Sequence, residues 1–164
     1  MVQRARFIDG YLPYLLIQAA FRMSAGFHKV LKGEGVRESE WRVLATLSGS
    51  AGMRMSELVG HVLIGQSTLS RTIDRMVAKS MVFRNPDPSD GRAQLLILTP
   101  SGQALADRLT EAARAHEDAD LAHLAPDQRR SLVDMLSSLF PALGFAEAGR
   151  ESDETPFRMR VRMK

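Results

Sequence analysis

The residues best equipped for chemistry lie on a helix predicted over residues 66–80. Its predicted outer face carries Gln66, Ser67, Thr68, Ser70, Arg71, Asp74, Arg75 and Lys79. Small hydroxyl and amide groups occupy the first turn, and cations follow. Short polar side chains at a helix N-terminus can reach base edges in a DNA major groove, where free backbone N–H groups can meet phosphates. A solvated helix face with serine caps would show the same residue types.

A single arginine follows a turn-rich segment, NPDPSDG, at residues 85–91. Two prolines stiffen this segment and Gly91 permits a tight turn, so Arg92 is expected at the tip of a hairpin. An arginine there can enter a narrow DNA minor groove, where the potential is most negative. We predict that the Asp90 carboxylate holds the Arg92 guanidinium in advance. An ordinary exposed salt bridge is the plainer alternative.

Charge placement supports an anionic partner more than total charge does. The 164 residues carry a net charge of +3. Between residues 64 and 94, five cations, among them Arg84, outnumber three acids. The chain has no cysteine, which excludes disulfides, thiolate metal sites and thiol redox switches.

No targeting or membrane segment is predicted. The apolar run LPYLLIQAAF is interrupted by Gln18 and is shorter than the roughly 20 residues that span a bilayer. We therefore expect a cytoplasmic protein without a membrane partner.

Apolar spacing sets the predicted order of elements. Helices are predicted at 11–32, at 39–47, after a Ser56 N-cap, at 66–80, from 100 to about 123 and at 126–143, and strands in MVFR and QLLILT. Residues expected to point inward include Trp41, Leu44, Ala45 and Leu47 on the second helix and Leu58, Val59, Val62 and Leu63 on the third. Thr99 is predicted to be the N-cap, and Pro100 the first residue, of the helix that starts at residue 100. A helix-turn-helix followed by a hairpin is the winged helix arrangement, mainly α with a small β-hairpin wing.

Two segments resemble a known family. DPSDGRAQLLILTPSGQAL is similar to the wing signature of the multiple antibiotic resistance regulator (MarR) family. The matching positions are Asp87, Asp90, Arg92, Leu98, Thr99 and Gly102. SEWRVLATLSGSAGMRMSELVGHVLIGQSTLSRTIDRMVAKSMVFR resembles the preceding helices, and the likeness extends over residues 8–144. Ser89 departs from the pattern, since the family often has a charged residue there, and Arg37 and Glu38 replace a better helix cap.

The resemblance implies a homodimeric winged helix-turn-helix transcription regulator, often a repressor. Helix 66–80 would enter the major groove of a pseudo-palindromic operator, and Arg92 the adjoining minor groove. One domain would cover residues 1–144, with a DNA-binding lobe at 38–99, dimerisation helices at 8–32 and 100–144, and a tail at 145–164. The DNA-binding residues expected on this basis are Gln66, Ser67, Thr68, Ser70, Arg71, Arg75, Arg84, Asp90 and Arg92. No cofactor and no catalytic residue are expected.

Many regulators of this family release DNA when a small, often aromatic, anion binds between the two lobes. Phe27, His28 and Trp41 are the candidates for such an effector pocket. An inward aromatic residue is more often simply part of the core.

Two alternatives compete with this function. His116, Asp120 and His123, at i, i+4 and i+7, would share a helix face as metal ligands do, which would suit a metal-responsive regulator. In the second alternative, the chain is a helical interaction module that has kept the fold and lost DNA binding.

The C-terminal TPFRMRVRMK, residues 155–164, alternates apolar and cationic side chains. An added strand, an unfolded basic arm and a disordered terminus are all compatible with this pattern. If the cations reach DNA, removing residues 155–164 would weaken binding to any duplex at low salt without altering sequence preference.

Overall fold

A computed structural model of the protein describes residues 6–142. The predicted end of the last helix at residue 143, the boundary at residue 144 and the tail over 145–164 lie outside the described residues. Those assignments remain predictions.

The described chain is mainly helical, with one small antiparallel sheet. The elements are α1 Leu12–Gly33, α2 Glu38–Leu47, β1 Met53–Arg54, α3 Met55–Val62, α4 Gln66–Ala78, β2 Val82–Asp87, β3 Asp90–Leu98, α5 Pro100–Asp120 and α6 Pro126–Ala142. A short 3-10 turn at Phe7–Asp9 precedes them. The predicted winged helix fold is confirmed.

A single core joins the helix-turn-helix to the sheet and to α5. Its buried members include Leu44 and Leu47 of α2, Leu69 and Ile73 of α4, and Leu96 of β3. The C-terminal half of α1 packs against this core through Leu31 and Phe27. The helices that carry polar side chains outward are therefore fixed by the apolar residues on their inner faces.

Two helices begin with a carboxylate on the first turn instead of a hydroxyl cap. The backbone N–H of Arg37 donates to Glu40 Oε2 at 2.9 Å, and the N–H of Arg54 donates to Glu57 Oε2 at 2.7 Å. These bonds satisfy amides that a helix N-terminus leaves free. The predicted N-cap at Ser56 is wrong, because α3 begins earlier and Ser56 lies within its first turn.

Two predicted inward residues face solvent instead. Leu63 lies just beyond α3, has a left-handed backbone conformation and is 71% exposed. Ala45 is also exposed, on the outer side of α2.

Helix ends differ modestly from the prediction. α4 ends at Ala78, where the N–H of Met81 donates to the Met76 carbonyl and Ser80 has a φ of 55°. α5 ends at Asp120, and the turn that follows is held by Arg129 Nε, which donates to the Leu121 carbonyl at 3.1 Å.

The wing has a third strand that the sequence did not indicate. β3 lies between β1 and β2 and pairs antiparallel with both. β1 contributes only two residues, Met53 paired with Leu96 and Arg54 paired with Leu95. The predicted N-cap at Thr99 is confirmed, since its hydroxyl accepts the Gly102 N–H at 2.9 Å.

Within residues 6–142, no helix is both long and apolar enough to cross a lipid bilayer.

Candidate nucleic-acid interface

The first turns of α4 present the predicted polar face to solvent. The exposed side chains there are those of Gln66, Ser67, Thr68, Ser70 and Arg71. The inner face is held by Leu69, Ile73 and Met76, each fully buried. Gly65 occupies the N-cap position and supplies no capping side chain, so the first-turn N–H groups of α4 stay available to an external anion.

A buried carboxylate fixes the other end of α4. Glu40 of α2 is fully buried, and its Oε1 lies 3.0 Å from Lys79 Nζ and 3.9 Å from Arg75 Nε. Burial raises the pKa of Glu40, but the hydrogen bonds from the Arg37 amide and Lys79 outweigh burial and lower it overall. Arg75 also donates to Thr72 Oγ1 at 3.0 Å. Arg75, predicted to bind DNA, is therefore held in place by the helix-turn-helix itself.

Arg84 of β2 is likewise engaged within the chain. Its Nη2 lies 2.6 Å from Asp74 Oδ1, which connects the wing to the outer side of α4. Of the five cations between residues 64 and 94, Arg71 and Arg92 make no salt bridge to any residue in 6–142.

The turn around Asp90 differs from the predicted brace. Asp90 Oδ1 accepts from the backbone N–H of Arg92 at 3.0 Å, and no bond joins it to the guanidinium. The prediction that Asp90 holds the side chain is wrong in this respect, since a carboxylate two residues upstream closes a local turn more readily than it reaches a long side chain. Asp90 shapes the backbone from which Arg92 projects into solvent.

A second acid in the wing is held by an arginine that sequence analysis missed. Arg54 Nε lies 2.6 Å from Asp87 Oδ2, and Arg54 Nη2 donates to Ser89 Oγ at 3.1 Å. Asp87 Oδ1 accepts from the N–H and the hydroxyl of Ser89. The bonds from Ser89, followed by the bond from Arg54, lower the pKa of Asp87 to about 2. Arg54 and Asp87 are 33 residues apart, and no sequence signal pairs them.

The candidate effector residues do not converge on one cavity. Phe27 and Trp41 meet edge to face with ring centroids 5.3 Å apart, at the junction of α1 and α2. His28 instead lies on the exposed side of α1, with Nε2 3.2 Å from Glu38 Oε2. It lines an open depression of about 410 Å³ with Lys32 and Arg37, and neither aromatic residue contributes to that lining.

The predicted metal ligands do not form a site. His116 Nδ1 lies 3.1 Å from Asp120 Oδ2, but α5 ends at Asp120, so His123 leaves the helical register. Across residues 6–142, no three histidine or acidic side chains come together in an arrangement able to hold a metal ion. His116 instead packs on the α1 backbone at Gly26, where a Cβ would collide with its ring, and faces Phe27 edge-on.

Comparison with known proteins agrees with this geometry. The model of the MarR family matches residues 34–93. A MarR family transcriptional regulator from Silicibacter pomeroyi DSS-3 is 37% identical, with 80% of this chain and 99% of that chain covered and a TM-score of 0.69. Another MarR family regulator from Silicibacter pomeroyi is 31% identical, with 83% and 92% covered and a TM-score of 0.74.

A third relative is a named repressor. This HTH-type transcriptional repressor from Mycobacterium tuberculosis is 29% identical over 131 residues, covering 80% of this chain and 94% of the repressor. Its crystal structure in complex with p-aminosalicylic acid is 27% identical, covers 79% of this chain and 98% of its own, and has a TM-score of 0.66.

The fold and the exposed polar helix beside a wing define a winged helix-turn-helix protein. Because regulators more than 30% identical are matched over almost their whole length, the chain belongs to the MarR family. Members of this family are DNA-binding transcription regulators and not enzymes. The predicted family is confirmed.

Proposed function

We propose that the protein is a homodimeric regulator that binds a specific double-stranded DNA operator and represses transcription. One observation carries this proposal: Arg71 on α4 and Arg92 on the wing are exposed and without salt bridges in the described chain, while the other three cations between residues 64 and 94 are paired. Unpaired cations on two adjacent projections suit two neighbouring grooves of a duplex.

The first turns of α4 would enter the major groove. Ser67, Thr68 and Arg71 would contact base edges, with Gln66 at the margin of reach, because short polar groups and arginine are the side chains that read those edges. The uncapped N–H groups behind Gly65 would approach a phosphate. Arg75 and Arg84 would support this face, since each is held by an acid of its own chain.

The wing would place Arg92 in the adjoining minor groove. The Arg92 guanidinium is exposed and its backbone amide is fixed by Asp90. A narrow minor groove concentrates negative potential and attracts an arginine inserted there.

Dimerisation would come from α1 and α6. Both helices expose large apolar side chains, among them Leu12, Leu15 and Phe21 on α1 and Val133 and Met135 on α6. A two-fold dimer would require a pseudo-palindromic operator with half-sites about 10 bp apart. Residues 8–32 and 100–144 would form the dimerisation lobe, residues 38–99 the DNA-binding lobe, and the site of action would be the cytoplasm, where the chromosome is accessible.

A small aromatic anion would relieve repression. The repressor from Mycobacterium tuberculosis has been crystallised with p-aminosalicylic acid, an anion of this class. At the junction of α1 and α2, the rings of Phe27 and Trp41 make an aromatic contact between the two lobes. Displacement of that contact by a ligand would shift one lobe against the other.

The test is DNA binding by the full-length protein to duplexes selected from a random pool, measured by fluorescence anisotropy across a range of salt concentrations. Arg92→Ala should weaken binding and reduce the salt slope by about one phosphate equivalent. Arg71→Ala should cost about 1–3 kcal/mol on the selected duplex, and less on random DNA, if it reads a guanine. Asp90→Ala should also weaken binding, because the Arg92 backbone loses its fixed turn.

Arg114→Ala is the matched control. Arg114 is an exposed arginine on α5, outside the winged helix lobe, and its loss should leave affinity unchanged. If the wild type showed no salt-dependent affinity for any duplex, the protein would instead be a helical module without DNA binding.

A further inference from the structure

We propose that Arg54 is a positioning residue for DNA binding, which fixes the wing against the helix-turn-helix through Asp87 and Ser89. This inference rests on the proposed function, because it assigns Arg54 a role in presenting Arg92 to the minor groove. Arg54 itself does not need to contact DNA.

The tip of the wing is poorly held by its own backbone. β2 and β3 pair in register as far as Pro86 and Gln94, and the register then shifts between Pro86 and Asp87. Prolines at positions 86 and 88 remove two backbone donors. Arg92 lies within the irregular part of the hairpin, so side chains must fix its position.

Arg54 is well suited to provide that fixation because its own backbone is held twice. It pairs with Leu95 in the sheet, and its N–H donates to Glu57 at the start of α3. The Arg54 side chain therefore projects from a residue whose backbone is bonded both to the wing sheet and to the helix-turn-helix.

The guanidinium reaches two groups at the turn. It donates to Asp87 Oδ2 at 2.6 Å and to Ser89 Oγ at 3.1 Å. Asp87 is only 7% exposed and accepts two further bonds from Ser89. Together these bonds close residues 87–89 into a compact turn that Arg54 links to the start of α3. The next residue, Asp90, extends the hydrogen-bonded turn, because its Oδ1 accepts the Arg92 N–H.

Two consequences follow for binding. A wing that is already ordered loses less conformational entropy when Arg92 enters a groove. Arg54 also neutralises Asp87, a carboxylate that would otherwise repel phosphates near the tip. Lysine would retain the charge but not the planar fork that reaches Asp87 and Ser89 together.

The first experiment compares Arg54→Gln and Arg54→Lys in the wild-type and Arg92→Ala backgrounds, on a duplex selected by the wild type. In the wild-type background, Arg54→Gln should weaken binding about 3- to 10-fold, the loss expected when a segment must be ordered on binding. Arg54→Lys should recover only part of this loss. In the Arg92→Ala background, Arg54→Gln should change affinity by less than about twofold, because the positioned group is gone.

Hydrogen exchange of the free protein provides a readout that does not need DNA. Arg54→Gln should speed exchange of the amides at Ser89 and Arg92, while those of α4 and the α5 core remain protected. Ser89→Ala removes the hydroxyl that accepts from Arg54 and donates to Asp87, and it should produce the same changes to a smaller extent because the Arg54–Asp87 pair remains. It serves as the informative variant if Arg54→Gln does not fold.

Equal losses in both backgrounds would show that Arg54 contacts DNA directly and would overturn the inference. So would unchanged exchange at the wing tip in a folded variant. If the wild type bound no duplex, the proposed function would fail, and the exchange experiment would still decide whether Arg54 fixes the wing.

Discussion

Leu63 shows how one residue departs from its sequence pattern. It follows Val62 in an apolar run, yet its φ of 53° and ψ of 35° place it in the left-handed region at the end of α3. A residue with a Cβ pays roughly 1–2 kcal/mol for this conformation. The side chain gains little burial in return, since it is 71% exposed. This backbone conformation lies between α3 and α4. Ile64, the next residue, packs against the core, and α4 begins at Gln66.

Leu63→Gly should therefore stabilise the protein. Relief of the left-handed strain should exceed the entropic cost of glycine, roughly 0.5–1 kcal/mol, and leave a net gain of the same order. Urea unfolding at fixed protein concentration measures the change. Leu63→Ala keeps the Cβ and should show no such gain. Equal stability of the two variants would show that the left-handed conformation of residue 63 does not destabilise the protein.

Asp87 makes stability depend on pH in the acidic range. Its pKa falls from 3.8 to about 2 in the folded chain because of its bonds from Ser89 and Arg54. A depressed pKa contributes stability above the unfolded-state value and loses it as pH falls through the folded-state value. The Asp87 contribution should thus be complete above about pH 5, decline as the pH falls below about 4 and be lost below about pH 2.

Asp87→Asn should destabilise the protein at neutral pH, and the difference from the wild type should shrink as pH falls from about 5 to about 2. Urea unfolding of both proteins across that range measures this. A constant difference at every pH would mean that the carboxylate charge is not what stabilises the turn.

At the scale of elements, the junction of wing and α5 depends on a close backbone contact. A Cβ on Gly102 would collide with the Met81 carbonyl oxygen. That carbonyl also accepts the N–H of Thr99 at 3.0 Å, and the Thr99 hydroxyl donates to the Ser80 carbonyl at 2.6 Å. This contact lies where the end of α4, the last strand and the start of α5 meet. A side chain at position 102 would push these elements apart, so the position requires glycine.

Gly102→Ala should cost roughly 1–3 kcal/mol, since backbone must move to admit the methyl group. Gly60→Ala is the matched control: Gly60 lies in α3, and nothing lies within 4 Å of its would-be Cβ. That change should stabilise α3 by about 0.5–1 kcal/mol. Thermal unfolding of the two variants should move in opposite directions, and a neutral Gly102→Ala would exclude the steric role.

At the scale of the whole molecule, exposed apolar surface accumulates on α1 and α6, outside the winged helix. Ile17 and Phe21 of α1 are 58% and 73% exposed, and Met135 of α6 is 61% exposed. The start of α6 is tied to α5 through Arg129, whose Nη1 lies 2.8 Å from Asp118 Oδ1, but Val133 and Met135 further along the helix stay exposed. A monomer with such faces would be a poor water-soluble protein, whereas a second copy would cover them.

We expect a stable dimer at micromolar concentration in sedimentation equilibrium. Met135→Lys should weaken it, because a charge would be buried in the interface. Phe83→Lys, on an exposed wing residue of comparable hydrophobicity, should leave the dimer intact. A monomeric wild type would remove the basis for a two-fold operator.

Sequence alone determined the fold class and the outer face of α4. Leu69, Ile73 and Met76 recur at helical spacing, and this periodicity fixes which side of the helix is buried and hence which polar residues face outward. Thr99 and Pro100 marked the start of α5 because capping depends on residues only a few positions apart. Helical periodicity and capping depend on residues close together in the chain, so they can be predicted from the sequence without a structure.

Tertiary structure alone decided which cations between residues 64 and 94 lack a salt bridge within the described range 6–142, and what holds the wing. Arg75 and Lys79 meet a carboxylate of α2, and Arg54 meets Asp87 across 33 residues. No periodicity encodes these pairs, because they depend on how helices and strands pack after they form. The strand at Met53–Arg54 escaped prediction for the same reason: two residues show no alternation, and only their pairing with β3 makes them a strand.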